Sequence, residues 1–134
     1  VALGNGKRKQ TRGRFWVNIL TPKVEQSLEE GDNVFITDIR FCEYNYDEYH
    51  WLKDKFNGIL VYITRYDKNG VEVPPYNQSE SYNNPILKRM ANYRLSWPTL
   101  NNFEAMCDVV AVQFRDLIDM IKYHAEARNI ENCK

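Results

Sequence analysis

Apolar side chains recur along this chain with two different periods, and the switches between them outline its elements. Over residues 14–30, Trp16, Ile19, Leu20, Val24 and Leu28 return at roughly helical spacing, which predicts an amphipathic helix. Pro22 lies inside it and is expected to kink or split it, because proline lacks an N–H and crowds the preceding turn. Gly31 and Asp32 end the segment. Residues 34–39 are β-branched and aromatic and predict a strand. Asn45 and Glu48, three apart, form a capping-box pattern that opens a helix to Phe56, with Tyr49, Leu52 and Phe56 on one side and Gly58 as the stop. Residues 59–64 are a near-continuous apolar run, as in a strand covered on both faces.

Strand, helix and strand over about 30 residues make a βαβ unit, whose crossover is almost always right-handed. Residues 67–70 (Asp, Lys, Asn, Gly) predict a turn and residues 73–76 an extended stretch. Residues 77–92 are polar, with a short helix expected at 85–91. Residues 93–97 predict a third, short strand. Asn101 and Glu104 repeat the capping-box spacing and open the strongest helix, with a stripe of Phe103, Met106, Val110, Phe114, Leu117, Ile118 and Ile121. A polar tail at 125–134 is expected to fray. The fold class is therefore α/β, in 134 residues that suit one domain, with 1–13 as a basic loop facing a ligand.

Charge changes this picture only locally. Eighteen basic side chains balance eighteen acidic ones, so no global field drives the chain onto nucleic acid or membrane. No apolar run is long enough to span a bilayer. Yet residues 7–14 carry five cations (Lys7, Arg8, Lys9, Arg12, Arg14) and no acid. They suit the phosphates of a nucleotide or a nucleic-acid backbone, or equally a solvated arm. Three distant cysteines, with no Cys/His metal spacing, fit a reducing, cytoplasmic compartment.

The candidate chemistry gathers at the end of the first predicted strand. Asp38 and Arg40 share one side of an extended segment, where ligands of open α/β sheets bind. Asp can hold a sugar hydroxyl or a metal-bound water, and Arg can clamp a phosphate bidentately; an ordinary surface ion pair is the plainer alternative. Glu43 follows at the mouth of the same loop. Trp16 is placed to stack on a base or to join the core. Ser79 and Glu80 offer a hydroxyl and a carboxylate in a polar stretch. His50 and His124 are isolated from any nucleophile or metal partner. A Walker A loop needs Gly, four residues, then Gly-Lys-Ser/Thr. Gly6-Lys7 fails that test, because Val1 stands where the first Gly belongs and Arg8 replaces the hydroxyl.

Several words, in order, resemble the deoxynucleoside monophosphate kinases of bacteriophages and large DNA viruses. Ala2, Leu3 and Gly4 are similar to the end of that family's central helix, and Arg14, Phe15, Trp16 and Val17 to the opening of its next helix. Thr37, Asp38, Ile39, Arg40, Phe41 and Glu43 match its DxRFxxE word, short by one position at the acid. Residues 58–65 resemble its following strand, Ser79 and Glu80 its (S/T)-E pair with Asn77 for a His, and Ala91, Asn92 and Tyr93 the approach to its last helix. The resemblance implies a three-layer, P-loop-kinase-like partial parallel sheet flanked by helices. It implies that Arg14, Asp38 and Arg40 serve the catalytic site, and that Lys7, Arg8, Arg12, Trp16, Glu43, Ser79 and Glu80 contact substrate. The implied ligand is a deoxynucleoside monophosphate, with ATP and Mg²⁺ only if a phosphate loop is supplied from elsewhere.

In that family the strand feeding the phosphate loop lies between the two strands expected here at 34–39 and 59–64. The start at Val1, inside a family word, leads to the expectation of a missing N-terminal segment or partner chain that completes the sheet. The alternative is an inactive structural or interaction protein, located in host cytoplasm or virion if viral. Nucleic-acid binding through residues 7–16 is a third, weaker reading.

Overall fold

Among the described residues, five α-helices, a short π-helical stretch and a two-stranded parallel sheet give a mixed α/β character. The computed structural model describes the backbone of residues 2–132 and the side chains of residues 4–123. The chain divides into two units: residues up to Leu60 together with Pro75–Asn92, and Val61–Pro74 together with Tyr93 onward.

The first unit is helical. The segment expected to be a basic loop is helix α1 (Ala2–Thr11), with Arg8 and Lys9 in its last turn, where cations complement the negative end of the helix dipole. Arg12 and Gly13 end it with φ of 51° and 93°. A side chain at Gly13 would meet the Tyr46 carbonyl carbon and oxygen at 2.6 Å, so only glycine lets the two backbones approach here. Helix α2 (Arg14–Glu29) follows and runs through Pro22 without splitting.

The α2 face that packs keeps only Val24 of the predicted stripe. Val17 and Val24 are buried, whereas Trp16, Ile19, Leu20 and Leu28 are 36–53% exposed. Val17, Thr21 and Val24 sit four and three apart, and Thr21 passes as an inner residue because its hydroxyl donates to the Val17 carbonyl (2.7 Å) and accepts from Trp51 Nε1 (2.8 Å). Trp51 joins Val17 and Val24 in the core, with Val34, Ile36, Leu52 and Phe56 packed around it.

Residues 33–42 form no strand, contrary to the sequence expectation, so no βαβ unit arises there. Val34 and Ile36 turn toward the core while Phe35 is 68% exposed, so the alternation of a strand survives without a sheet. Helix α3 (Glu48–His50) continues as a π-helical stretch over Trp51–Lys55. The expected capping box does not form, for Asp47 is the N-cap residue and its carboxylate is turned elsewhere. Lys53 Nζ closes the far end, donating to the Gly58 carbonyl (2.6 Å) and Asn92 Oδ1 (2.9 Å).

Helix α4 (Gln78–Met90) begins well before the expected 85–91. Asn77 Oδ1 accepts from the Glu80 N–H (3.0 Å), and Glu80 returns its carboxylate to the Asn77 amide (2.9 Å) and the Tyr76 N–H (3.3 Å). This reciprocal cap opens the helix.

The second unit contains the sheet. Strands β1 (Val61–Tyr66) and β2 (Tyr93–Pro98) pair in parallel, with Ile63 opposite Leu95. β1 starts two residues later than expected and is not covered on both faces: Ile63 is 54% exposed and the polar Thr64 is buried. The turn expected at 67–70 is present, with Asp67 Oδ1 accepting from the Asn69 and Val71 N–H groups (both 2.8 Å). Helix α5 (Phe103–Asn132) packs on β2. Its cap is Asn102 rather than Asn101, through Oδ1 and the Glu104 N–H (2.9 Å). Leu117 is buried and Met106, Val110, Ile118 and Ile121 are half-buried, but Phe103 and Phe114 stand exposed. Gln113 stands in for a neighbouring strand: its side-chain amide donates to the Ser96 carbonyl (2.7 Å) and accepts from the Ser96 N–H (3.2 Å). The tail expected to fray at 125–134 lies outside the residues whose side chains are described; α5 itself runs to Asn132.

No described helix is long and apolar enough to cross a membrane.

Candidate functional site

A cleft of about 330 Å³ in the first unit gathers residues from four separate stretches of sequence. Gly4, Asn5 and Arg8 come from α1 and Trp16 from α2; Asp38, Arg40, Phe41 and Glu48 come from the loop before α3 and its first residue; Asn77, Ser79 and Glu80 come from the start of α4. Trp16 reaches it because the packing face of α2 rotates the indole outward, where it is 44% exposed and donates weakly to the Gly4 carbonyl (3.4 Å).

Arg40 is the half-exposed, loosely paired cation of this cleft. Its guanidinium lies 3.3 Å from Asp38 Oδ1 and 3.3 Å from Glu80 Oε1, and its side chain is 48% exposed. Half-exposed pairs of this length contribute little to stability and yield readily to a better-placed anion. Asp38 adopts φ 66°, a left-handed conformation that aspartate tolerates better than most residues, at the lip of the cleft.

The loop carrying both residues is held from below by Glu48, whose Oε2 accepts from the backbone N–H of Arg40 (2.7 Å) and Phe41 (3.3 Å). Burial pushes the Glu48 carboxyl up; the two backbone bonds oppose that shift, and the nearby Asp47 charge reinforces it.

Arg8 is the fixed cation. Its Nε and Nη2 donate to the two Asp47 carboxylate oxygens at 2.8 and 2.7 Å, and Glu43 Oε1 lies 3.5 Å away. The guanidinium stacks over the rings of Phe41 (3.8 Å) and Tyr44 (4.8 Å). Burial alone would lower its pKa, but the bonds and charges of Asp47 and Glu43 outweigh it, so Arg8 is held above its ordinary value. Asp47 Oδ2 also accepts from the Tyr44 N–H (2.8 Å), closing the turn before α3.

Asn83, fully buried in α4, anchors the same loop from the other side. Its Nδ2 donates to Glu43 Oε1 (2.8 Å) and the Ser79 carbonyl (2.9 Å), and its Oδ1 accepts from the Cys42 N–H (3.1 Å). Burial, then the charges of Asp47 and Glu43, pushes the Cys42 thiol pKa up, with the Arg8 charge opposing the shift.

The structure thus brings Arg8, Trp16, Asp38, Arg40, Ser79 and Glu80 to one cleft, with Glu43 just behind it. It places Arg12 and Arg14 elsewhere, in a second groove, with Arg14 3.7 Å over the Tyr46 ring. Lys7 stands 5.4 Å over the Phe15 ring and lines neither. Sequence reasoning missed Asp47, Glu48 and Asn83. Glu48 stands out in the sequence only as a capping residue and Asp47 and Asn83 not at all, while Asn77 and Glu80 carry the same Asn-x-x-Glu spacing as Asn45–Glu48 and Asn101–Glu104.

Asp38 and Glu80 are engaged by Arg40, and no three metal-ligating side chains converge among the described residues. No family model, curated protein or solved structure matches the chain.

Proposed function

We propose that this chain is the acceptor-binding part of a deoxynucleoside monophosphate kinase-like protein, a partial form of the three-layer phosphate-loop kinase fold whose donor loop it does not contain. The observation that carries this reading is the meeting of Asp38 and Arg40 with Trp16, Ser79 and Glu80 in one cleft. Arg40 exchanges its two loose carboxylates for the phosphate of the monophosphate, which it can grip with two parallel N–H groups. Trp16 offers an open aromatic face to the base. Asp38 or Ser79 holds the 3′-hydroxyl, the one free hydroxyl of the deoxyribose, and Glu80, fixed by its cap, receives Arg40 again when the ligand leaves. The chain by itself has no donor site and transfers no phosphate. A thermal-shift screen against the four deoxynucleoside monophosphates tests the reading. Stabilisation of the wild type that vanishes in Arg40→Ala supports it, and no shift with any of them overturns it.

A second reading is an inactive structural or interaction protein, and one observation favours it. Residues 34–37 keep the alternation of a strand, up to the left-handed Asp38, but belong to no sheet among the described residues, as though a partner chain completes them. This reading expects no nucleotide binding at all.

A further inference from the structure

The two clefts of the first unit differ in electrostatic character. The lining of the first contains Asp38, Glu48 and Glu80 against Arg8 and Arg40, each arginine already paired. The second, an open groove of about 870 Å³, is lined by Arg12, Arg14, Phe15, Tyr46 and neutral polar or apolar side chains, without a carboxylate. Among the described residues neither Arg12 nor Arg14 forms an ion pair. The chain is neutral overall, so this positive field is local.

The groove is also built on close backbone contacts. Arg12 and Arg14 flank Gly13, which is pressed against the Tyr46 backbone and donates its N–H to the Arg8 carbonyl (2.9 Å). That contact fixes Tyr46, 46% exposed, beneath the Arg14 guanidinium at 3.7 Å. Phe15 meets Trp16 edge-on at 4.7 Å and lies under Lys7 at 5.4 Å. Cations that track phosphates, interleaved with aromatic faces that take bases, are what sequence-tolerant single-strand binding requires. A duplex keeps its bases stacked on each other and cannot use such faces. A membrane surface would want a broad apolar face beside the cations, and here Ile19 is the single aliphatic side chain of a lining otherwise made of polar and aromatic ones.

The geometry points to a second binding site on this protein, a groove between Arg12, Arg14 and Tyr46 that takes single-stranded nucleic acid. It is independent of the monophosphate cleft. Fluorescence anisotropy with a labelled oligothymidylate over a salt series tests it on the full chain. The wild type binds, and log K falls with log salt with a slope of about −1.4 for two phosphate contacts. The double variant Arg12→Asn, Arg14→Gln, with Asn chosen because it tolerates the left-handed backbone of residue 12, loses at least about tenfold in affinity and most of that slope. Tyr46→Leu, which keeps bulk and charge, loses about fivefold or more through lost stacking. Lys23→Ala, outside the groove, stays within about twofold. Circular dichroism and thermal midpoints confirm that the variants fold. No oligonucleotide binding by the wild type, undiminished binding by the folded double variant, equal affinity for duplex, or binding to anionic phosphatidylserine vesicles but not to the oligonucleotide would each overturn the proposal.

Discussion

Arg8 and Asp47, 39 positions apart, form a buried two-point ion pair in which Nε and Nη2 each meet one carboxylate oxygen. It joins α1 to the turn before α3 and so fixes Arg8 in the lining of the first cleft. The side chains are 6% and 1% exposed, so neither charge can fall back on water if its partner is removed.

That arrangement predicts an asymmetric mutational cycle. Asp47→Ala leaves a buried guanidinium with only Glu43 nearby and is expected to cost about 3–5 kcal/mol, read by urea unfolding. Arg8→Met combined with Asp47→Leu removes both charges and recovers most of the loss. Equal destabilisation by the single and double changes would contradict the pair's role.

Glu48 predicts a pH dependence of definite sign. Its carboxyl is raised above the ordinary value of 4.5, so the folded chain binds its proton more tightly than the unfolded one. Its contribution to stability is therefore greatest at low pH and declines as pH rises from 4.5 through the raised value. Glu48→Gln keeps an acceptor for the Arg40 and Phe41 N–H groups and removes the titration. The stability of the variant relative to wild type should rise across that window; a flat difference would show that Glu48 is not burdened by burial.

Gly13 and Gly31 both have positive φ, 93° and 85°, but differ in their surroundings. Nothing lies near a Cβ at Gly31, so Gly31→Ala should cost about 1 kcal/mol from backbone strain alone. Gly13→Ala adds a clash with the Tyr46 backbone and should cost at least about twice as much. Chemical denaturation of the two variants compares them directly.

How much of this was legible in the sequence depends on the range of the interactions involved. The strand at 93–97, the turn at 67–70 and the helix from Asn102 onward follow local rules of propensity and capping, and they form close to where those rules put them. Tertiary contacts decided the rest. The face of α2 turned because Thr21 could satisfy its hydroxyl within the helix and toward Trp51, which freed Trp16 for the cleft. The stretch 34–39 has every residue of a strand, but a strand also needs a neighbour. Asp38 and Arg40 stood out as an acid and a base two apart at the end of an apolar run. Asp47 and Asn83 act mainly through partners brought close by the fold, and the Asn45–Glu48 spacing marks Glu48 as a cap rather than as the acceptor for the Arg40 and Phe41 N–H groups. The basic run was visible, but not its division: Arg8 is consumed inside the fold, while Arg12 and Arg14 face the second groove.

The central claim is that Arg40 and its cleft bind a deoxynucleoside monophosphate. Calorimetric titration of wild-type chain and Arg40→Ala with each of the four monophosphates tests it most directly. The account predicts saturable binding of at least one of them, weakened about tenfold to a hundredfold in Arg40→Ala, the loss expected for charge-assisted bonds to phosphate. No binding heat with any monophosphate, or an affinity that Arg40→Ala leaves unchanged, would contradict it.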